Sequence, residues 1–250
     1  MKSLLRLFLL ATLLASGPFA KASLVSSINY TSCGANCPPL TFVNSAVADG
    51  SALSFSNAYG GAFSQAAYGT LKASADSSYS STPSAFSISS AVAQFSDWIT
   101  LGGLTGPQMV TFILHTDGSL GGAAGSANAV AGMSLTLDVD GNEVAIVADY
   151  FGNQPALPSA SQGGLSGTFA LEYGTQISIK AILGVTGILG GFAHFGDTVG
   201  LEIIAPPGTT IESESGAAYR LTTVPEPASA ALLMLGFATL LATRNRYRRA

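Results

Sequence analysis

The sequence predicts an all-β protein, a single antiparallel β-sandwich or jelly-roll-like domain, flanked by two end segments of different character. Three observations carry this expectation. Apolar and polar residues alternate with a period of two in many short runs. β-Branched, aromatic and glycine residues mark those runs out with turns between them. Amphipathic helical spacing with caps is not found anywhere in the body. Roughly 200 residues between the ends suffice to bury one core, so residues 23–220 are read as one β-rich extracytoplasmic domain.

The chain opens MKSLLRLFLLATLLASGPFAKAS, with basic Lys2 and Arg6, an uncharged run from Leu7 to Ala20 and a small-residue step at Ala20, Lys21 and Ala22. That is the pattern of a secretory signal peptide over residues 1–22, cut after Ala22. The run is shorter than the roughly 20 residues a spanning helix needs. Export sets the redox context for Cys33 and Cys37, the two cysteines, in SCGANCPP. A small disulfide loop is expected if the turn brings the two Cα atoms into range, with two free thiols as the alternative. A metal or redox role is disfavoured, because C-x3-C supplies two ligands at most and lacks the two-residue redox spacing. Asn29 in NYT matches a glycosylation triplet that arises often by chance.

Along the body, residues 45–81 give the weakest strand signal, because their Ala, Ser and Gly content suits loops equally. SAFSIS alternates through Phe86 and Ile88, and MVTFILHT through Val110, Phe112 and Leu114. AGMSLTLDVD gives the clearest strand: Met133, Leu135, Leu137 and Val139 alternate with Ser134, Thr136, Asp138 and Asp140, predicting one buried and one wet face. GTFALEYG, TQISIKAIL and TVGLEII continue the series, whereas GGAAGSANAVAG and SASQGGLSG read as loops or flexible edges.

Charge narrows the partners. Between Ser23 and Val224 the basic side chains are Lys72, Lys180 and Arg220 against thirteen Asp and Glu, a net of −10. So acidic a body cannot neutralise many phosphates, which argues against nucleic acid. It suits the solubility of an exported protein and could attract cations.

Candidate chemistry is sparse. DVDGNE crowds Asp138, Asp140, Asn142 and Glu143 around Gly141, like the opening of a calcium loop. No helices flank it and its twelfth position is Asp149, so a hairpin turn is the favoured reading, Gly141 and Asn142 both tolerating positive φ. No cofactor is expected otherwise. For a hydrolase, Gly-x-Ser-x-Gly is absent, and His115 and His194 have no partner defined by spacing. Spacing nominates no glycosidase carboxylate pair. Gly-x4-Gly-Lys is absent too. Trp98, the sole tryptophan, could stack on a sugar ring, as could exposed tyrosines, although burial beside Phe95 and Ile99 is the commoner outcome.

The C-terminus, residues 221–250, is more specific. Pro225 and Pro227 hold Val224 and Glu226 extended. From Pro227 to Thr243 seventeen residues carry no charge, about 25 Å as a helix. Arg244, Arg246, Arg248 and Arg249 follow and would hold the tail in the cytoplasm. Val224, Pro225, Glu226 and Pro227, then LLMLGFATLLATRNRYRR, resemble the PEP-CTERM sorting signal of exported proteins from Gram-negative, exopolysaccharide-producing bacteria. The resemblance implies recognition by an exosortase, a membrane-embedded cysteine transpeptidase-like enzyme, with removal of the transmembrane helix and basic tail. FGDTVGLEIIAPPGTTIESESGAAY loosely resembles the strand pair that often precedes such tails. The implied partners are the general secretion machinery, the exosortase, the inner membrane transiently, and exopolysaccharide. The expectation is then a non-enzymatic surface or extracellular-matrix protein with a structural or adhesive role in biofilm. A carbohydrate-binding module is the alternative, and an extracellular hydrolase using His194 or His115 the third.

Overall fold

A computed structural model describes residues 22–33, 41–78, 86–122, 129–139, 141–151 and 165–223. The expected signal peptide up to Lys21, Cys37, Asp140 and everything from Val224 onward lie outside the described residues. Among those described there is no helix, and no helix is long and apolar enough to cross a membrane.

The chain forms two sheets. A 7-stranded sheet A runs β10 (Asn142–Phe151), β9 (Ala129–Val139), β12 (Gln176–Ile188), β6 (Phe86–Gly102), β1 (Ser23–Cys33) and β2 (Thr41–Val47), with β14 (Thr210–Ser213) beside the end of β6. An 8-stranded sheet B runs β11 (Leu165–Glu172), β7 (Pro107–His115), β13 (Gly191–Ala205), β5 (Thr70–Ser77), β4 (Gly60–Ala67) and β3 (Leu53–Asn57). Its remaining strands, β8 (Ser119–Gly122) and β15 (Arg220–Thr223), add to β13. The pairings are antiparallel except for β13 with β15. The alternating runs all form strands, as the sequence predicts.

The sheets pack face to face, and their inner faces are not uniform. Where β9 and β12 oppose β7 and β13, the core is Met133, Leu135, Leu137, Ile177, Ile179, Leu183, Phe112, Leu114 and Ile203. Where β1 and β6 oppose β4 and β5, it is largely alanine and serine: Ala62, Ala66, Ala73 and Ala75 face Ala91 and Ala93. Small side chains let the backbones approach, and buried serines then bridge them. Ala66 N donates to Ser26 Oγ at 3.0 Å, Ser64 Oγ donates to the Val92 carbonyl at 2.5 Å, and Ser89 Oγ donates to the Asp76 carbonyl. Each such bond contributes about 1 kcal/mol net, and leaving a buried partner unpaired costs more. Residues 45–77, which suit loops by composition, thus run mainly as strands β2 to β5, because their small residues fill a thin layer.

At one corner the chain passes from β12 to β13, from sheet A to sheet B, through Leu189 (φ 48) and Gly190 (φ 84). A side chain on Gly187 would lie 2.5 Å from the Gly191 carbonyl and 3.0 Å from that of Ala75, so glycine is required there. Ser77 Oγ holds the turn, accepting from Gly190 N at 3.0 Å and donating to the Gly191 carbonyl at 3.1 Å.

Near the other end of β6, Asp97 faces the interior and is 1% exposed. Its Oδ1 accepts from the amides of Trp98 (2.8 Å) and Ser215 (3.1 Å). Its Oδ2 accepts from the hydroxyls of Ser213 (2.7 Å), Ser215 (2.5 Å) and Tyr219 (2.7 Å). All but the Trp98 amide belong to the segment that runs from Ser213 at the end of β14 in sheet A towards β15 in sheet B, so the carboxylate fastens a strap across the sandwich. Burial is the first cause, and the Asp97 bond the second, that push the Tyr219 hydroxyl far above the usual phenol range.

β9 departs from its expected wet face. Ser134 (6%) and Thr136 (7%) are buried although they point away from the core. The register explains it: β9 is an interior strand, paired on one side with β10 and on the other with β12, where Thr136 lies opposite Lys180 and Ser134 opposite Ile182.

Asp97→Asn keeps the shape but offers one acceptor oxygen and a competing donor to five donors. It should cost about 3 kcal/mol, lowering Tm by about 6–12 °C at the usual 2–4 °C per kcal/mol for this size. Thermal denaturation measures it, and an unchanged Tm would show that the strap is not held by this carboxylate.

Candidate functional site

Strand alternation places Trp98, Ser178, Asp138 and Glu143 in one register row on the outer face of sheet A: Trp98 lies opposite Ser178, Ser178 opposite Asp138, and Asp138 opposite Glu143. The next row holds Ser23, Ser96, Lys180 and Thr136, with Ser23 Oγ and Ser96 Oγ hydrogen-bonded at 2.7 Å. In the first row Ser178 is 1% exposed, and both its Oγ and Asp138 Oδ1 are buried without a hydrogen-bond partner. Orphaned buried polar atoms are rare in native structures, each costing roughly 1–3 kcal/mol. Burial pushes the Lys180 ammonium below its usual range, partly offset by Glu143. One half-buried aromatic, two unused oxygens and a desolvated amine therefore converge.

Of the calcium candidates, Asp138 and Glu143 are paired in register on the outer face of sheet A. Asn142 pairs with Val139 at the start of β10, with Gly141 at φ 80 before it and Asn142 already in β10 without a positive φ. Alternation then sends Asn142 to the opposite face from Asp138 and Glu143. Among the described residues no three His, Cys, Asp or Glu side chains could hold a metal ion. Trp98 also departs from its expected burial beside Phe95 and Ile99, which point inward while Trp98 points out. Cys33 ends β1.

The outer face of sheet B carries both histidines, each with an acid. His194 Nε2 meets Asp76 Oδ1 at 2.6 Å with both side chains about half exposed, and the Phe192 ring lies 5.0 Å from the imidazole. That ring covers Gly121, where a Cβ would come within 2.4 Å of it. His115 Nε2 bonds Glu202, whose other oxygen accepts from Thr222 and lies 3.6 Å from Arg220 Nε. The bond from Thr222, then those of His115 and the charge of Arg220, hold the Glu202 carboxyl below its usual range against burial. Here the hydroxyl donates to the acid rather than to the imidazole, so the cluster clasps β15 to β13 and β7. These partners lie 118 and 87 residues apart, beyond the reach of spacing rules.

No family model matches the chain, and no curated protein matches it. Among solved structures it is similar to TmCBM61 in complex with β-1,4-galactotriose, at 16% identity over 49% of this chain and 72% of that one, with a TM-score of 0.23. A likeness that distant carries no conclusion about this chain.

The Asp76 hydrogen bond, against burial, raises the His194 pKa above 6.5. A raised folded-state value means that the pair stabilises the fold fully below about 6.5 and loses that contribution as pH rises through the folded value. In an NMR titration Asp76→Asn should lower the His194 midpoint. An unmoved midpoint would show that the contact does not persist in solution.

Proposed function

We propose that the chain is an exported surface or extracellular-matrix protein that binds polysaccharide through the outer face of sheet A. The observation that carries this reading is the pair of orphaned atoms, Ser178 Oγ and Asp138 Oδ1, beside Trp98. A sugar hydroxyl both donates and accepts, so one hydroxyl can give its proton to Asp138 and take one from Ser178 or Lys180. The apolar face of the sugar ring meanwhile packs on the indole. A divalent cation suits the row less well, because Lys180 in the adjacent row already opposes the charges of Asp138 and Glu143. Both orphaned atoms are closed off from water, so occupation requires a flanking side chain to turn. Trp98, in register with Ser178 and half-buried, is that side chain.

The ends supply the address. The signal peptide takes the body out, and the arginines after Thr243 stop the tail in the inner membrane. Pro225, Glu226 and Pro227 then present an extended segment for an exosortase, as the resemblance implies. The role is structural or adhesive.

Trp98 is the only tryptophan, so fluorescence excited selectively in the tryptophan band reports on this site alone. Matrix polysaccharide should change that emission, and Trp98→Ala with retained folding should weaken retention on the polysaccharide at least about 10-fold, the effect of roughly 1.4 kcal/mol. Retention equal to that of the parent would overturn the site. Separately, changing Pro225, Glu226 and Pro227 to alanine should leave the intact chain in the inner membrane. Normal processing and surface yield in that variant would refute the sorting reading.

A further inference from the structure

We propose that the ligand of this face is a neutral, unbranched glycan lying along β6 and β1, from Trp98 towards Asn29. The proposal rests on the site reading above and adds the ligand's charge and length. The outer face of sheet A is divided. Over β9 and β12 it is closed, with Ile182 3% and Lys180 8% exposed. Over β6, β1 and β2 most outward side chains are half-buried or exposed: Gln94, Ser90, Ser27, Asn29 and Thr31 are half-buried and Asn44 is exposed. No outward position of β6, β1 or β2 is charged, in a body with a net charge of −10. This open lane mixes amides and hydroxyls with apolar side chains: Asn44 opposite Asn29, Asn29 opposite Ser90, and Ser90 hydrogen-bonded to Thr186 at 3.1 Å make one row, while Val92 and Ile88, the latter 37% exposed, flank Ser90 along β6.

Charge selects the occupant. Lys72 lies on β5 and Arg220 on β15, both in sheet B, so Lys180 is the sole cation of the sheet A strands and is itself next to two carboxylates. An anionic polymer approaching this protein meets net repulsion with nothing on the lane to offset it. A neutral polymer meets hydrogen-bonding groups at strand spacing, and at its far end the orphaned Ser178 and Asp138. The eight residue steps from Trp98 to Ser90 span about 27 Å of strand, so affinity should grow with chain length until that lane is filled.

The test is Trp98 fluorescence titration of the mature chain with a neutral β-linked oligosaccharide ladder and with a uronate-bearing ladder of the same lengths, at low and high salt. We expect neutral affinity to climb with length and uronate affinity to be at least about 10-fold weaker at low salt. Asn29→Asp, nearly isosteric, should weaken the long neutral oligosaccharides about 10-fold and leave the shortest unchanged. Uronate binding as tight as neutral, or neutral binding independent of length and of Asn29→Asp, would overturn the lane while leaving the Trp98 site standing. No response to either ladder would overturn both. A concentration-dependent dimer broken by Asn29→Asp, without a glycan response, would assign the face to a second copy of the chain.

Discussion

The close approach of the two sheets over β1, β6, β4 and β5 is the constraint on which the rest depends. A sandwich core is usually about 10 Å thick and filled by interdigitating large side chains. Here alanines oppose alanines, and hydroxyls of Ser26, Ser64 and Ser89 reach backbone groups of the facing sheet. That arrangement exchanges apolar burial for directional bonds. It requires small residues inside and leaves no room for methylene additions, since each would force the backbones apart. Ala73 and Ala75, both 0% exposed, are therefore as tightly specified as Phe112 or Leu135.

A thin layer at one side and a thick one at the other leave the sandwich wedge-shaped inside, and both meeting points of its sheets need fasteners. Gly187, Leu189, Gly190 and Ser77 form one, where the chain turns directly from sheet to sheet. Asp97 forms the other, a buried carboxylate neutralised by donors instead of by a cation. Tyr219 joins the two schemes, donating to Asp97 while its ring lies 6.4 Å from that of Phe95. The Glu202 clasp acts outside the core in the same sense, tying the short parallel β15 to a sheet it meets along only four register pairs, from Glu202 with Arg220 to Ala205 with Thr223.

How much of this was legible in the sequence follows from the range of each interaction. The β9, β11, β12 and β13 runs declare themselves because large apolar residues at alternate positions fill the thick layer. β4 and β5 do not, because alanine and serine at alternate positions have too little contrast in hydrophobicity to show a period, although Leu71, Ala73, Ala75 and Ser77 share a buried face. The hairpin at Gly141 is local and was readable. The partners of His115, His194 and Asp97 are set by strand order and lie too far along the chain for any motif. Trp98 was legible as a candidate and not as an outward residue, since FSDWITLGG alternates correctly only if Asp97 is allowed inside. A charged residue at a core position reads as evidence against that register until its five donors are known.

Asp97 therefore decides more than stability. A register that kept this carboxylate in water would turn Phe95 and Ile99 outward and Trp98 inward, because a one-residue slip exchanges the faces of a strand. With Asp97 satisfied inside, the large apolar neighbours are buried and the single tryptophan is presented beside Ser178 and Asp138. The same choice puts Ser96, Gln94 and Ser90 on the outer side of β6 and keeps charge off that side of the strand. Asp76, Glu172 and Glu202 lie on strands of sheet B, and Asp138, Glu143 and Glu212 on β9, β10 and β14 of sheet A. One buried carboxylate thus fixes which side chains of β6 face out from sheet A: an uncharged set in which Gln94 and Ser90 alternate with Val92 and Ile88.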